Sequence, residues 1–399
     1  MIIFQETTTT ATSATTMTDT TTTSITTTST TSSSTTSTSS STSTSITTSS
    51  TSSSTTTTTS TTSSSTTTTT STTSSSTTST TTSSTTTTTT TTTTQSCIQT
   101  ITSSTVNNTC RDLNWNQTGV VFASGFNKPL ALYIDANDSV YVCDKDGHNI
   151  EEWDQCSSNG VVVAGSNTSA SGSTSVLLNH PEDVTFDKNG YMYVADTDND
   201  RVQRFPSGSN NGTTVAGTGT SANTLVGLNK PQAVAVDSNS NIYIADEGNK
   251  RIMKWTPNAA SGTIWLSDND LDHTIDIVIS PTSTDKIYTT RDDKDVIYSW
   301  TSGAASSPAT FNQVNDTTKN TLNKPRGMTY DLYGNLYVAD RDNDRIVMFC
   351  ANSTVGIVVA ADTGTSPRLD KPVAVALDSN LNLYAVTEAG KNVIKFGRL

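Results

Sequence analysis

The chain has 399 residues, of which 32% are hydrophobic and 6% aromatic, and its 36 acidic side chains outnumber 23 basic ones for a net charge of −13. Such a balance excludes a binder of nucleic acid, whose phosphates demand a basic face, and no stretch is long and apolar enough for a membrane helix. Five cysteines are too few for a disulfide-dense scaffold and lack the paired C-x-x-C spacing of structural zinc.

Residues 7–94 are almost entirely Ser and Thr, with Asp19 as the one charge. A tract like this cannot bury enough apolar surface to offset chain entropy, so 1–94 is predicted to be a disordered stalk. Its composition points to an O-glycosylated extracellular spacer, although mucin-like stalks normally add Pro. The other reading is an unmodified low-complexity expansion. A junction over 95–118 follows, then a lone strand, Gly119–Ala123.

From there the chain restarts one phrase five times: FNKPLALYID, LNHPEDVTFD, LNKPQAVAVD, LNKPRGMTYD and LDKPVAVALD, anchored at Pro129, Pro181, Pro231, Pro325 and Pro372. A divergent copy, LDHTIDIVIS, fills the long gap with Thr274 in the proline place, so six copies stand 43 to 52 residues apart. Each copy reads as four strands. Proline pre-sets an extended first strand and donates no hydrogen bond. An Asn- or Gly-bearing turn such as Asp187–Gly190 leads to a second strand such as Tyr191–Ala195, where alternation predicts one buried face. The third strand ends on an aromatic: Trp153, Phe205, Trp255, Trp300, Phe349 or Phe396. The fourth is read in GVVVAG, GTTVAG and GIVVAA.

Units of this period with several short strands and no helical periodicity mark β-propeller blades. The predicted fold is therefore all-β: a six-bladed propeller of four-stranded antiparallel blades over 119–399. Copy six lacks a fourth strand and the strand before copy one is unattached. Pairing Val120–Ala123 with Asn392–Phe396 closes the ring and removes a free edge. Such a closed ring is expected to be monomeric.

The segments VADTDNDRV (194–202), IADEGNKRI (244–252) and VADRDNDRI (338–346) resemble the NHL repeat family, across roughly residues 119–399. The resemblance implies a six-bladed propeller but no single function, since the family includes receptor ectodomains, lyases, RNA-binding proteins and substrate-recognition parts of ubiquitin ligases.

Asp196 and Arg201, Asp246 and Arg251, and Asp340 and Arg345 are each five residues apart across a tight hairpin. Where Thr290 or Thr387 replaces the Asp, Asp295 or Asn392 replaces the Arg, and this joint loss predicts three structural ion pairs. The same loops hold Asp198, Asp200, Asp342 and Asp344, so an acidic rim is expected to attract a protein partner with a basic surface. Glu182, Gln232 and Arg326, each following a blade proline, are the polar groups expected at the channel mouth. DTDND and DRDND hint at calcium loops, but a full loop needs Gly sixth and Glu twelfth. Arg201 and Ser207, and Arg345 and Ala351, occupy those places.

The family's amidating lyases hold zinc through histidines directly after the blade prolines. The matching residues here are Leu130, Glu182, Gln232, Ile275, Arg326 and Val373, and His148, His180 and His273 lie elsewhere. No metal, cofactor or catalytic group is therefore assigned. The expected function is non-enzymatic recognition or scaffolding. The alternatives are the substrate-recognition half of a ubiquitin ligase and a lyase- or lactonase-like metal-dependent enzyme.

Seven Asn-X-Ser/Thr sequons, at Asn107, Asn116, Asn137, Asn167, Asn211, Asn315 and Asn352, offer glycosylation sites. Residues 1–6 are too short and acidic for a signal peptide. Together these favour an extracellular or cell-surface protein whose N-terminus continues upstream. Cys97 and Cys110 are expected to staple the junction, Cys143 to be a buried thiol, and Cys156 and Cys350 are left unpaired by the sequence.

Overall fold

A computed structural model describes residue 110, residues 113–303 and residues 308–399. The stalk, Cys97 and Asn107 lie outside the described residues. Six antiparallel sheets follow the six copies, and their first strands neighbour one another in the cyclic order 1-2-3-4-5-6-1. Blade 2 is typical, with strands Pro181–Phe186, Met192–Asp196, Arg201–Phe205 and Thr213–Gly217. Helical residues in the propeller are short 3₁₀ turns. Among the described residues no helix is long and apolar enough to cross a membrane.

Local chemistry explains the hairpins. Asp187 accepts the backbone N–H of Asn189 and Tyr191 through Oδ1, at 2.9 and 3.0 Å, while its Oδ2 accepts the Tyr193 hydroxyl at 3.2 Å. Asp237 with Tyr243, Asp331 with Tyr337 and Asp378 with Tyr384 repeat the device, so an aspartate both shapes the first turn and satisfies a buried phenol.

The second strands depart from the alternation expected of them. All five residues are buried in Val140–Asp144, Met192–Asp196, Ile242–Asp246, Leu336–Asp340 and Leu383–Thr387. Neighbouring blades cover both faces of each sheet, so a strand inside the stack meets apolar surface on either side. The core is accordingly six clusters between blades. One joins Tyr193, Ala195 and Val202 of blade 2 to Val234, Ile244 and Trp255 of blade 3. The third-strand aromatics, Trp153 to Phe396, are all buried in these clusters.

Blade 6 has strands Pro372–Leu377, Leu383–Thr387 and Asn392–Phe396, and its fourth is Val120–Ser124, running antiparallel with Val121 opposite Ile394 and Ala123 opposite Val393. The closure extends backward. Trp115, 2% exposed, donates its indole N–H to the Leu381 carbonyl at 2.7 Å and bridges to Arg398. Blade 5 gains a fifth, unforeseen strand, Gln313–Val314, parallel to Val355–Gly356.

The expected Cys97–Cys110 staple is not the pairing that forms. Cys110 is bonded to Cys350, with Cα atoms 5.6 Å apart. The chain before the closing strand packs against the core between blades 5 and 6, which brings Cys110 to the end of blade 5's third strand. Cys156 is also disulfide-bonded, and Cys143 is a buried free thiol. Because the Cys110–Cys350 bridge spans 240 residues, chain entropy assigns it on the order of 5 kcal/mol as an upper value. Cys350→Ser should therefore lower the thermal midpoint of the intact chain clearly, as read by calorimetry, with the blades still forming.

Candidate functional site

Polar groups concentrate on one face of the ring, where blade starts meet the loops between second and third strands. Asp196, Asp246 and Asp340 end their second strands with no solvent exposure, and Arg201, Arg251 and Arg345 start the third strands 2 to 7% exposed. Each arginine Nε donates to the aspartate Oδ2, at 2.7, 2.6 and 2.6 Å. The other carboxylate oxygen accepts a backbone N–H from the start of the same blade, that of Asn179, Asn229 or Asn323, each at 2.7 Å. The guanidinium tips then donate to carbonyls of the connection from the previous blade: Ser173, Thr174 and Leu177 for Arg201, and Thr224 and Gly227 for Arg251. Burial pushes the three carboxyls upward, while hydrogen bonds from Asn, backbone and Arg pull the other way. Every oxygen faces donors, so the geometry accommodates the ionised form.

Blades 4 and 6 show how the device is replaced. In blade 6 the Thr387 hydroxyl donates to Asn392 Oδ1 at 2.7 Å, a neutral version of the pair. In blade 4 the register puts Arg291, not Thr290, opposite the blade start, and Val296, not Asp295, in the arginine place. The charge is reversed there. Arg291 bonds Asp293 at 2.7 Å and reaches Asn269 and Asp270 of the preceding connection. Thr290 and Asp295, the positions expected from sequence, are each one residue off this register, because that copy has no Ala-Asp step to mark it.

The rim acids are engaged, some within their own blade and some across a blade boundary. Asp198 pairs with His180 at 2.8 Å and Lys230 at 2.5 Å, and Asp342 pairs with Lys324 at 3.0 Å and with Arg341. Asp200 and Asp344 accept the backbone N–H of Lys230 and Lys371, at 2.9 and 3.0 Å. Lys230 and Lys371 thus reach the acidic loops of the preceding blades while the Lys324 ammonium pairs within its own blade, and the rim carries interleaved charge.

The channel mouth differs. Glu182 is clamped by Lys145 at 2.5 Å and Arg326 by Asp292 at 3.2 Å, fixing one charge of each sign. Gln232 Oε1 and Arg326 Nε are buried atoms without a hydrogen-bond partner among the described residues. A cavity of about 60 Å³ is lined by Glu182, Asp183, Asp276, Arg326 and apolar residues such as Leu130 and Val373, and Gln232 is not part of its lining.

Asp183 and Asp276, which sequence reading missed, sit two residues after the blade start, where other copies have Ala131, Ala233, Gly327 and Ala374. Each ties its blade to the next: Asp183 accepts the Val234 N–H at 2.8 Å and Asp276 the Met328 N–H at 2.6 Å. Burial raises both carboxyls, Asp276 to about 6, and the charge of Asp276 raises Asp183 further. An acid among small residues at one repeat position was the available signal. The sequons lie on the outer surface: Asn116, Asn137, Asn167, Asn211, Asn315 and Asn352 are all exposed.

Comparison with known proteins agrees with the architecture. Residues 228–255, the connection into blade 3 and its first three strands, match the NHL repeat model. No curated protein matches the sequence. Among solved structures, a protein of unknown function from Bacteroides thetaiotaomicron is 15% identical with a TM-score of 0.54, covering 71% of this chain and 73% of its own. A gluconolactonase from Xanthomonas campestris is 12% identical with a TM-score of 0.53, covering 70% and 89%. An auxiliary nutrient binding protein from Bacteroides ovatus is 17% identical with a TM-score of 0.51, covering 71% and 73%. At these identities the likeness is one of fold, shared by an enzyme and a binding protein.

Arg251→Ala strands a buried carboxylate and should cost about 3–5 kcal/mol in urea unfolding, whereas Asp246→Asn combined with Arg251→Met should cost clearly less. The channel pair gives a pH signature. A carboxyl raised on folding contributes stability that is full below its unfolded value and is lost as pH rises through the folded one, near 6 for Asp276. Asp276→Asn should therefore flatten the decline in urea midpoint expected of the native protein between about pH 4 and pH 6.5.

Proposed function

We propose that this NHL-type propeller is a non-enzymatic recognition module of a secreted or cell-surface protein. It acts as a monomer and holds a protein ligand at the channel mouth through Glu182, Gln232 and Arg326. The observation that carries this reading is the unused hydrogen-bonding capacity there: Gln232 Oε1 and Arg326 Nε are buried and unpartnered among the described residues, and Glu182 and Arg326 are held in ion pairs. Leaving such atoms unpaired costs free energy, and a ligand that supplies a donor to Gln232 and Glu182 and an acceptor to Arg326 recovers it.

Both mouth charges are already clamped in ion pairs across a blade boundary, which suits orientation of a ligand better than proton transfer. The overall acidity favours a cationic partner and makes its association salt-dependent. Exposure of the six described sequon asparagines and the disulfides of Cys110, Cys350 and Cys156 support an oxidising, glycosylating compartment.

Binding to a panel of cationic proteins and Lys-rich peptides, measured by biolayer interferometry, tests the mouth. Gln232→Ala combined with Arg326→Ala should weaken the best binder about tenfold or more, and a rise in salt should weaken it further. Undiminished binding by the double variant, or lactone turnover that this variant loses, would overturn the reading. Treatment of the native protein with an N-glycosidase should increase its gel mobility, and an unchanged band would remove the secreted assignment.

A further inference from the structure

We propose that the seam between blades 1 and 2 is an acid-sensitive latch, held by a neutral His148 that accepts the backbone N–H of His180 and released when that ring is protonated. The argument starts from a repeated position. The last residue of each loop between second and third strands is left-handed: His148, Asp200, Lys250, Asp295, Asp344 and Lys391 have φ of 48° to 56°. At four of the six seams its side chain accepts the backbone N–H of the residue before the next blade's start. Asp200 takes Lys230 at 2.9 Å, Asp295 takes Lys324 at 2.8 Å, Asp344 takes Lys371 at 3.0 Å, and His148 Nδ1 takes His180 at 3.0 Å.

Three of these acceptors are carboxyl groups, which keep an acceptor oxygen in either protonation state. The fourth is an imidazole, the side chain whose proton count changes in mildly acidic solution. Protonated His148 carries hydrogen on both ring nitrogens, so Nδ1 would point a donor at the His180 N–H. The protonated ring would also face the His180 ring, whose centroid lies 4.5 Å away.

The groups around His148 come from both blades. Asp144 and Asp146 belong to its own loop, and His180 and Asp198 face it from blade 2. His180 Nδ1 is bonded to Asp198 at 2.8 Å, and its Nε2 lies 3.8 Å from Asp146. Burial first, and then His180, lower the affinity of His148 for a proton, while the aspartates oppose them. The sign is therefore that of a depressed base: the latch is intact above the ordinary histidine value, near 6.5, and is lost as pH falls through the lower folded value. The channel carboxylates respond to acid in the opposite direction, so the opening is local to one seam. The same seam carries the Lys145–Glu182 pair, and its loosening follows from the geometry whatever ligand the mouth takes.

Hydrogen–deuterium exchange on the full chain, corrected for intrinsic rates, reads the seam directly. Going from about pH 7.5 to pH 5, peptides over 177–186 should lose about tenfold in protection, while those over 228–236 and 369–377, latched by aspartate, should not. His148→Asp, which copies those three seams, should hold its protection in acid. Equal protection at both pH values in the native protein, or the same acid loss in His148→Asp, would overturn the proposal. Should that variant fail to fold, the ring resonances of native His148 decide: a midpoint below about 6.5 supports the latch, and one at or above it overturns it.

Discussion

A carboxylate with no access to water, at the inner end of a second strand, is the constraint on which this propeller depends. Asp196, Asp246 and Asp340 each gather a backbone N–H from the start of their own blade, an Asn side chain and an arginine. The arginine in turn collects the carbonyls of the connection from the blade before. One buried charge thus fixes the second-to-third hairpin, the start of the first strand and the path between blades. Desolvation makes a partly formed version costly, so the arrangement is effectively all or none.

This explains why the interleaved charges of the rim are not a surplus. Blades stack apolar face to apolar face, and such packing alone is tolerant of sliding. Directional contacts resist it at four of the seams, where Asp200, Asp295, Asp344 or His148 holds a backbone N–H of the next blade. Once these are satisfied, few polar groups remain unspent, and those at the channel mouth stand out.

Much of the site was nevertheless legible in one dimension. The five-residue Asp–Arg spacing and its joint loss in blade 6 foretold contact, because a repeat protein carries its own internal comparison. The same logic failed in blade 4, where Arg291 took the aspartate place and reversed the charge. It also passed over Asp183 and Asp276, since an acid beside Glu182 in one copy reads as ordinary surface polarity until the ring curls both side chains into the channel.

By itself the sequence determined the number of blades, their four-stranded plan, and the return of Val120–Ala123 to complete blade 6. These follow from local periodicity and from counting strands, quantities the chain carries in order. Only the tertiary structure decided that second strands are buried on both faces, that Cys110 meets Cys350, and that Asp198 and Asp200 are bound by Lys230 of the next blade. Each depends on which surfaces a closed ring brings together across 30 to 240 residues of chain, and linear spacing holds no record of that proximity.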